Sequence, residues 1–72
     1  MPSRYFFHLV KGHQRIRDRV GAVVSPEVVM SQSVLDVARG IWPALDNPAA
    51  WAGWSIEICD ETGNVVRVIA LV

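Results

Sequence analysis

His8, Asp18 and Cys59 are the side chains whose chemistry comes nearest to catalysis. A histidine titrates close to neutrality, and a carboxylate can orient it for proton transfer. A thiol becomes a nucleophile once its pKa is depressed. None of the three meets those conditions on sequence grounds. The strand register derived below sets His8 and Asp18 on opposite faces of the sheet, and the pair lacks both a nucleophile and a pocket. Asp18 reads instead as a structural acceptor for turn amides or for the start of the helix after Gly21. Asp60 and Glu61 stand beside Cys59 and raise its pKa. Zinc needs about four ligands, and His8, His13 and Cys59 offer no paired spacing. Glycine-rich phosphate loops and paired catalytic carboxylates are absent. A pocket of at least about 300 Å³ is not expected of a domain with one helix and four strands. The expectation is a protein that is not an enzyme and carries no cofactor and no metal.

A second group of residues does binding chemistry. Phe6, His8, Val10, Arg15, Arg17 and Arg19 fall on one sheet face when the first two strands are paired, and they form the candidate interaction face. Aromatics interleaved with arginines can stack bases and neutralise phosphates. The same face can close against a second copy, with Phe6 and Val10 buried and the arginines meeting Glu57 or the Asp60-Glu61 turn of that copy. Zero net charge and a pI near 6.7 run against nucleic acid and favour the dimer.

The elements that position these groups follow from periodicity. Arg4 to Val10 alternates as a strand, with Tyr5, Phe7 and Leu9 on one face and Phe6, His8 and Val10 on the other. Lys11-Gly12-His13-Gln14 is a tight turn with Gly12 at the first central position of a type II′ hairpin. Strand two covers Gln14 to Val20, so Leu9 faces Ile16, His8 faces Arg17 and Phe6 faces Arg19, with Ile16 and Asp18 on the inner face. Ser25-Pro26-Glu27 caps and starts a helix. Met30, Val34, Val37 and Ile41 recur at helical spacing, and Leu35, Ala38, Trp42 and Leu45 widen the stripe. Gly40 and Pro43 end or kink that helix near Ile41–Trp42. Trp51 covers an edge of the core. Trp54 to Cys59 alternates as strand three, Asp60 to Asn64 is a loop with Gly63 at positive φ, and Val65 to Leu71 is strand four, apolar on both faces apart from Arg67.

The sum is a single α+β domain over residues 1–72: ββαββ, a four-stranded sheet with one helix on one face. Strands one and four, apolar on both faces, are placed centrally and parallel to each other, and the charged strands two and three at the edges. That gives the β-grasp-like order 2-1-4-3.

Bulk properties set the frame. Seventy-two residues bury only about 60% of the unfolded surface, so such a domain needs help from a disulfide, a metal or association. One cysteine forms no internal disulfide and points to a reducing compartment. Association remains, and the 51% content of hydrophobic residues agrees with it. Charge is uneven. Arg4, Lys11, Arg15, Arg17 and Arg19 crowd the first twenty residues against Asp18 alone, while Glu27, Asp36, Asp46, Glu57, Asp60 and Glu61 outnumber Arg39 and Arg67 in the remainder. No secretory signal and no apolar stretch of about 20 residues is visible, so a cytoplasmic protein without a membrane partner is expected.

Three stretches carry a family resemblance. They are Arg4-Tyr5-Phe6-Phe7-His8-Leu9, Ile16-Arg17-Asp18 with Gly21, and Trp54-Ser55-Ile56-Glu57-Ile58-Cys59-Asp60-Glu61-Thr62-Gly63. Together they resemble a domain-of-unknown-function family of small, mostly alphaproteobacterial proteins that often open Arg-Tyr-Phe-Phe-His. The likeness covers nearly the whole chain. It departs in the middle, where relatives tend to have an alanine- and glutamate-rich helix and this chain has Val28-Val29-Met30 and Trp42-Pro43. The resemblance implies one compact domain and brings no activity, ligand or catalytic residue. The expected role is a small non-enzymatic interaction or structural module that homodimerises, with a nucleic-acid-binding module as the alternative and no small-molecule substrate.

Overall fold

A computed structural model describes residues 1–71. The first strand, β1 (Ser3–Lys11), turns through Gly12 into β2 (Gln14–Ile16). Gly12 alone takes positive φ in that turn, as the II′ geometry requires, and Leu9 pairs with Ile16 as the turn dictates. A third strand, β3 (Ala22–Val24), pairs with the beginning of β1. The chain then passes through α1 (Pro26–Val29), α2 (Val34–Ile41) and two 3₁₀ turns, Pro43–Asp46 and Pro48–Trp51. It returns to the sheet as β4 (Ser55–Cys59) and ends in β5 (Val65–Ala70). The strand order is β2-β1-β4-β5, with β3 beside β1 on the β2 side, and every pairing is antiparallel.

The α+β class stands, but the sheet has five strands and its order corrects the expected 2-1-4-3. The Trp54–Cys59 segment, assigned to an edge, lies next to β1, and the Val65–Leu71 segment, assigned to the centre, lies at the edge. No parallel pair forms. Glu57 faces His8 across the β1–β4 ladder and pairs with Arg15 on β2, so β4 accommodates its charge in an interior position. A polar face did not mean an edge, and an apolar one did not mean the centre.

Because β3 and β4 both run antiparallel to β1 on its two sides, the helical segment crosses over β1. That crossing builds the core. Phe7 and Leu9 from β1 and Ile56 and Ile58 from β4 are fully enclosed, together with Val29, Val34 and Ala38 from the helices. Tyr5 closes one end, and Trp42, Trp51 and Trp54 pack round the rim. Ser25 caps α1 and Pro26 occupies its first turn. The helix expected as one unit is broken at Met30–Ser33. There the Ser31 hydroxyl donates to Val28 O and accepts from Ser33 N–H, giving the backbone a local alternative to helix. The break changes the phase, so Val29 is buried and Met30, expected in the apolar stripe, is 66% exposed. Further on, α2 stops at Ile41, before Pro43, as expected.

Candidate functional site

The site begins with an accounting problem on β1. Antiparallel alternation turns the N–H and C=O of Tyr5, Phe7 and Leu9 toward the same sheet edge. Leu9 finds Ile16 of β2 and Tyr5 finds Ala22 of β3. Four steps along β1, from Leu9 to Tyr5, are matched by six from Ile16 to Ala22, so the second strand swings away from Phe7. Strand two therefore does not run to Val20, and Arg17 and Arg19 do not pair with His8 and Phe6. Phe7 is left with a buried donor and acceptor that no strand satisfies.

Two side chains fill the gap. Asp18 Oδ2 accepts the Phe7 N–H at 3.0 Å, and the Trp42 indole donates to Phe7 O at 2.8 Å. The other carboxylate oxygen of Asp18 accepts from Val20 and Gly21 N–H, which folds the loop back toward β3. Gly21 is required at the return. It sits at φ 72, and a Cβ there would lie 2.5 Å from Tyr5 O. Asp18, placed on the inner face by sequence, stands in the plane of the sheet and is 6% exposed.

This loop brings His8 and Asp18 into contact, against the expectation that opposite faces keep them apart. The contact is through backbone: Asp18 N–H donates to His8 Nδ1 at 3.0 Å. His8 Nδ1 is thereby an acceptor, and the ring carries its proton on Nε2. Burial pushes the His8 pKa below its usual value, Arg15 and Arg17 push it the same way, and Asp18 and Glu57 oppose them. Imidazole and carboxylate are both committed to amides, so they do not form a proton-transfer pair.

Around His8 lies an open concavity of about 540 Å³ on the sheet face opposite the helices. Phe6, His8, Arg15, Arg17 and Arg19 line it, so the loop delivers to one place the groups that a continuous strand was expected to deliver. The volume exceeds the pocket size that sequence reasoning thought out of reach. Val10 lies on the same face, half-buried, opposite Arg15 and Ser55. The Phe6 and His8 rings are nearly parallel and stacked, their centroids 6.5 Å apart and their planes at 6°. Asp60, Glu61 and Cys59 line the concavity too, which makes it bipolar rather than basic. Arg15 pairs with Glu57 of its own chain, whereas Arg17 and Arg19 have no carboxylate partner among the described residues. The Cys59 thiol is buried, and burial, then Glu57, pushes its pKa up. The Asp60 carboxylate is held below the usual range by the Thr62 hydroxyl and by the Thr62 and Asn64 amides, the hydrogen bonds that shape the turn carrying Gly63 at φ 89. Among the described residues, no three of His, Cys, Asp and Glu gather where they could hold a metal ion.

The same sheet face runs out to β5, where sequence reasoning missed the most conspicuous surface. Val65, Val66 and Val68 are 52%, 38% and 57% exposed. Leu71 N–H donates to Trp54 O, so by alternation Ile69 and Arg67 turn their backbone groups toward β4, while Ala70 and Val68 turn theirs outward. Among the described residues no strand lies beyond them. Arg67, the one charge on β5, points to the helical side and donates to Val29 O and Ser31 O at 2.7 and 2.8 Å.

A family profile described as a domain of unknown function (DUF6894) matches residues 4–72, and the chain belongs to that family. No curated protein and no solved structure matches the chain.

Proposed function

We propose that this DUF6894 member is a small, non-enzymatic protein-interaction module of a bacterial cytoplasm that works as a homodimer. The observation that carries the reading is β5: an edge strand with three exposed valines and outward-facing backbone groups, at the side of a sheet whose open face also holds Phe6 and Val10. Native edge strands are ordinarily blunted, and one left apolar is a template for pairing. Against catalysis stand the commitments already described: Asp18 to three amides, His8 Nδ1 to a fourth, and Cys59 to a buried, proton-retaining state. No helix among the described residues is long and apolar enough to cross a membrane, and a membrane partner is not part of the reading. Sedimentation velocity of the full chain across roughly 1–200 µM, which brackets dissociation constants of about 10⁻⁶ to 10⁻⁴ M, tests it. The expected result is a monomer–dimer equilibrium. A folded, soluble monomer throughout defeats the reading.

A second reading has its own observation. The parallel Phe6 and His8 rings, beside Arg17 and Arg19 that have no carboxylate partner among the described residues, resemble a stacking platform for single-stranded nucleic acid. Asp60 and Glu61 on the same concavity weigh against it. Gel shifts with single-stranded DNA and RNA at low salt separate the two, since this mode requires binding that Arg17→Ala and Arg19→Ala weaken.

A further inference from the structure

The two edges of the sheet are built differently. On one side β2 and β3 are three-residue strands split by the Arg17–Gly21 loop, ringed by Arg15, Arg17 and Arg19, and the gap between them is closed by Asp18 and Trp42. Short strands and charges are among the devices that block an edge. On the other side β5 has six residues, no lysine, no proline, and one charge that is turned away and hydrogen-bonded to the helical segment; its register shift against β4 falls near its start, between Val65 and Arg67, and leaves Val68 to Ala70 regular. A sheet that can extend on one side only closes as a pair and cannot grow into a fibre.

We infer that two copies of this chain join through β5, antiparallel, about a two-fold axis at Val68, fusing their sheets into one; this rests on the homodimer reading above and specifies its surface. Alternation points Val68 and Ala70 outward, and of the centres it allows Val68 pairs Val66 to Ala70 while keeping Arg67 from facing its own copy. Val68 meets its own copy, and Ala70 meets Val66 of the second chain. No charge faces another across that seam, and the outward backbone groups of Val68 and Ala70 gain partners. The second copy is favoured over a foreign strand because the register is self-complementary and needs no residue outside this sequence.

Three variants of the full chain test the assignment. Val68→Asp sets two carboxylates opposite each other and weakens self-association at least about tenfold. It leaves the monomer folded, because the side chain is exposed there. Val68→Cys forms an intermolecular disulfide on mild oxidation, since a hydrogen-bonded antiparallel pair holds its Cα atoms about 5.5 Å apart, within disulfide reach. Ala70→Cys does not, its copy lying four positions away, roughly 13 Å along the strand. Peptide mass spectrometry separates these bridges from any at Cys59. A wild-type dimer that Val68→Asp leaves intact, or a Val68→Cys chain that dimerises without cross-linking, overturns the β5 assignment while sparing the homodimer. A wild-type monomer removes both. If Val68→Asp fails to fold, the cross-link decides.

Discussion

Asp18 is the residue on which the open edge of β1 depends. Its carboxylate accepts from Phe7, Val20 and Gly21, and the first of these donors is buried. Asp18→Ala strands the Phe7 amide and releases the loop, an expected loss of about 2–4 kcal/mol from a domain whose whole stability is about 4–11 kcal/mol at typical values per residue. Asp18→Asn keeps one acceptor oxygen and falls between. Urea denaturation followed by circular dichroism measures both, and an alanine variant within about 0.5 kcal/mol of wild type would refute the gap-filling role. His8 ties a proton to the same loop. Its folded pKa lies below the ordinary 6.5, by burial first and then by Arg15, with Arg17 in the same sense and Asp18 and Glu57 opposed. A lowered histidine favours the folded state while neutral. The contribution is therefore present in full above 6.5 and lost as pH falls from there through the folded value. Thermal stability of wild type is expected to drop between neutrality and mild acid more steeply than that of His8→Gln. A ring titration by NMR should place the His8 midpoint below 6.5, and a midpoint above it contradicts the neutral acceptor.

At the scale of elements, what could be read in the sequence was what neighbours along the chain determine. Gly12 and strict alternation gave the β1–β2 register through Ile16, and Gly63 after Asp60 gave the β4–β5 loop. Ser25-Pro26 marked the helix start and Pro43 its end. What could not be read was set by distant backbone demands. The interruption of strand two leaves the amide and carbonyl of Phe7 to side chains, the amide to Asp18 and the carbonyl to an indole 35 residues on, in Trp42. A large rim tryptophan needing a partner for its N–H was the one available signal. The break after α1 is held by Arg67, 36 to 38 residues away, whose guanidinium takes the carbonyls of Val29 and Ser31. Sheet order failed for a more informative reason. Apolar residues on both faces of Val65–Leu71 predict burial within the chain, yet the chain leaves Val65, Val66 and Val68 exposed. The candidate face converged on one concavity even so, because the loop that broke the strand carries Arg17 and Arg19 to the place where His8 sits.

For the whole molecule, the proposed dimer turns on the force that would join two copies. The chain has zero net charge, and its concavity carries acids as well as arginines, so a face-to-face dimer would set Arg17 and Arg19 against Asp60 and Glu61 of the partner copy. Such exposed ion pairs weaken as the Debye length falls from about 10 Å at 0.1 M salt to about 3 Å at 1 M. A β5 dimer joins valines and backbone groups, which salt screens little and excluded salts such as sulfate strengthen. In either dimer stability would depend on concentration, because a folded state that binds a second copy is favoured by mass action over an unfolded state that does not. A hundredfold rise in protein adds about 2.7 kcal/mol per dimer, half of it for each protomer. In a domain of this size that corresponds to a rise in Tm of about 5–10 °C. Differential scanning calorimetry at three protein concentrations, in 0.05 and 0.5 M sodium sulfate, reads both dependences together. A Tm that climbs with protein and holds or rises with salt is the signature of β5. A concentration dependence that salt abolishes moves the interface to the arginine face, and a Tm indifferent to concentration leaves the exposed valines without a second copy to cover them.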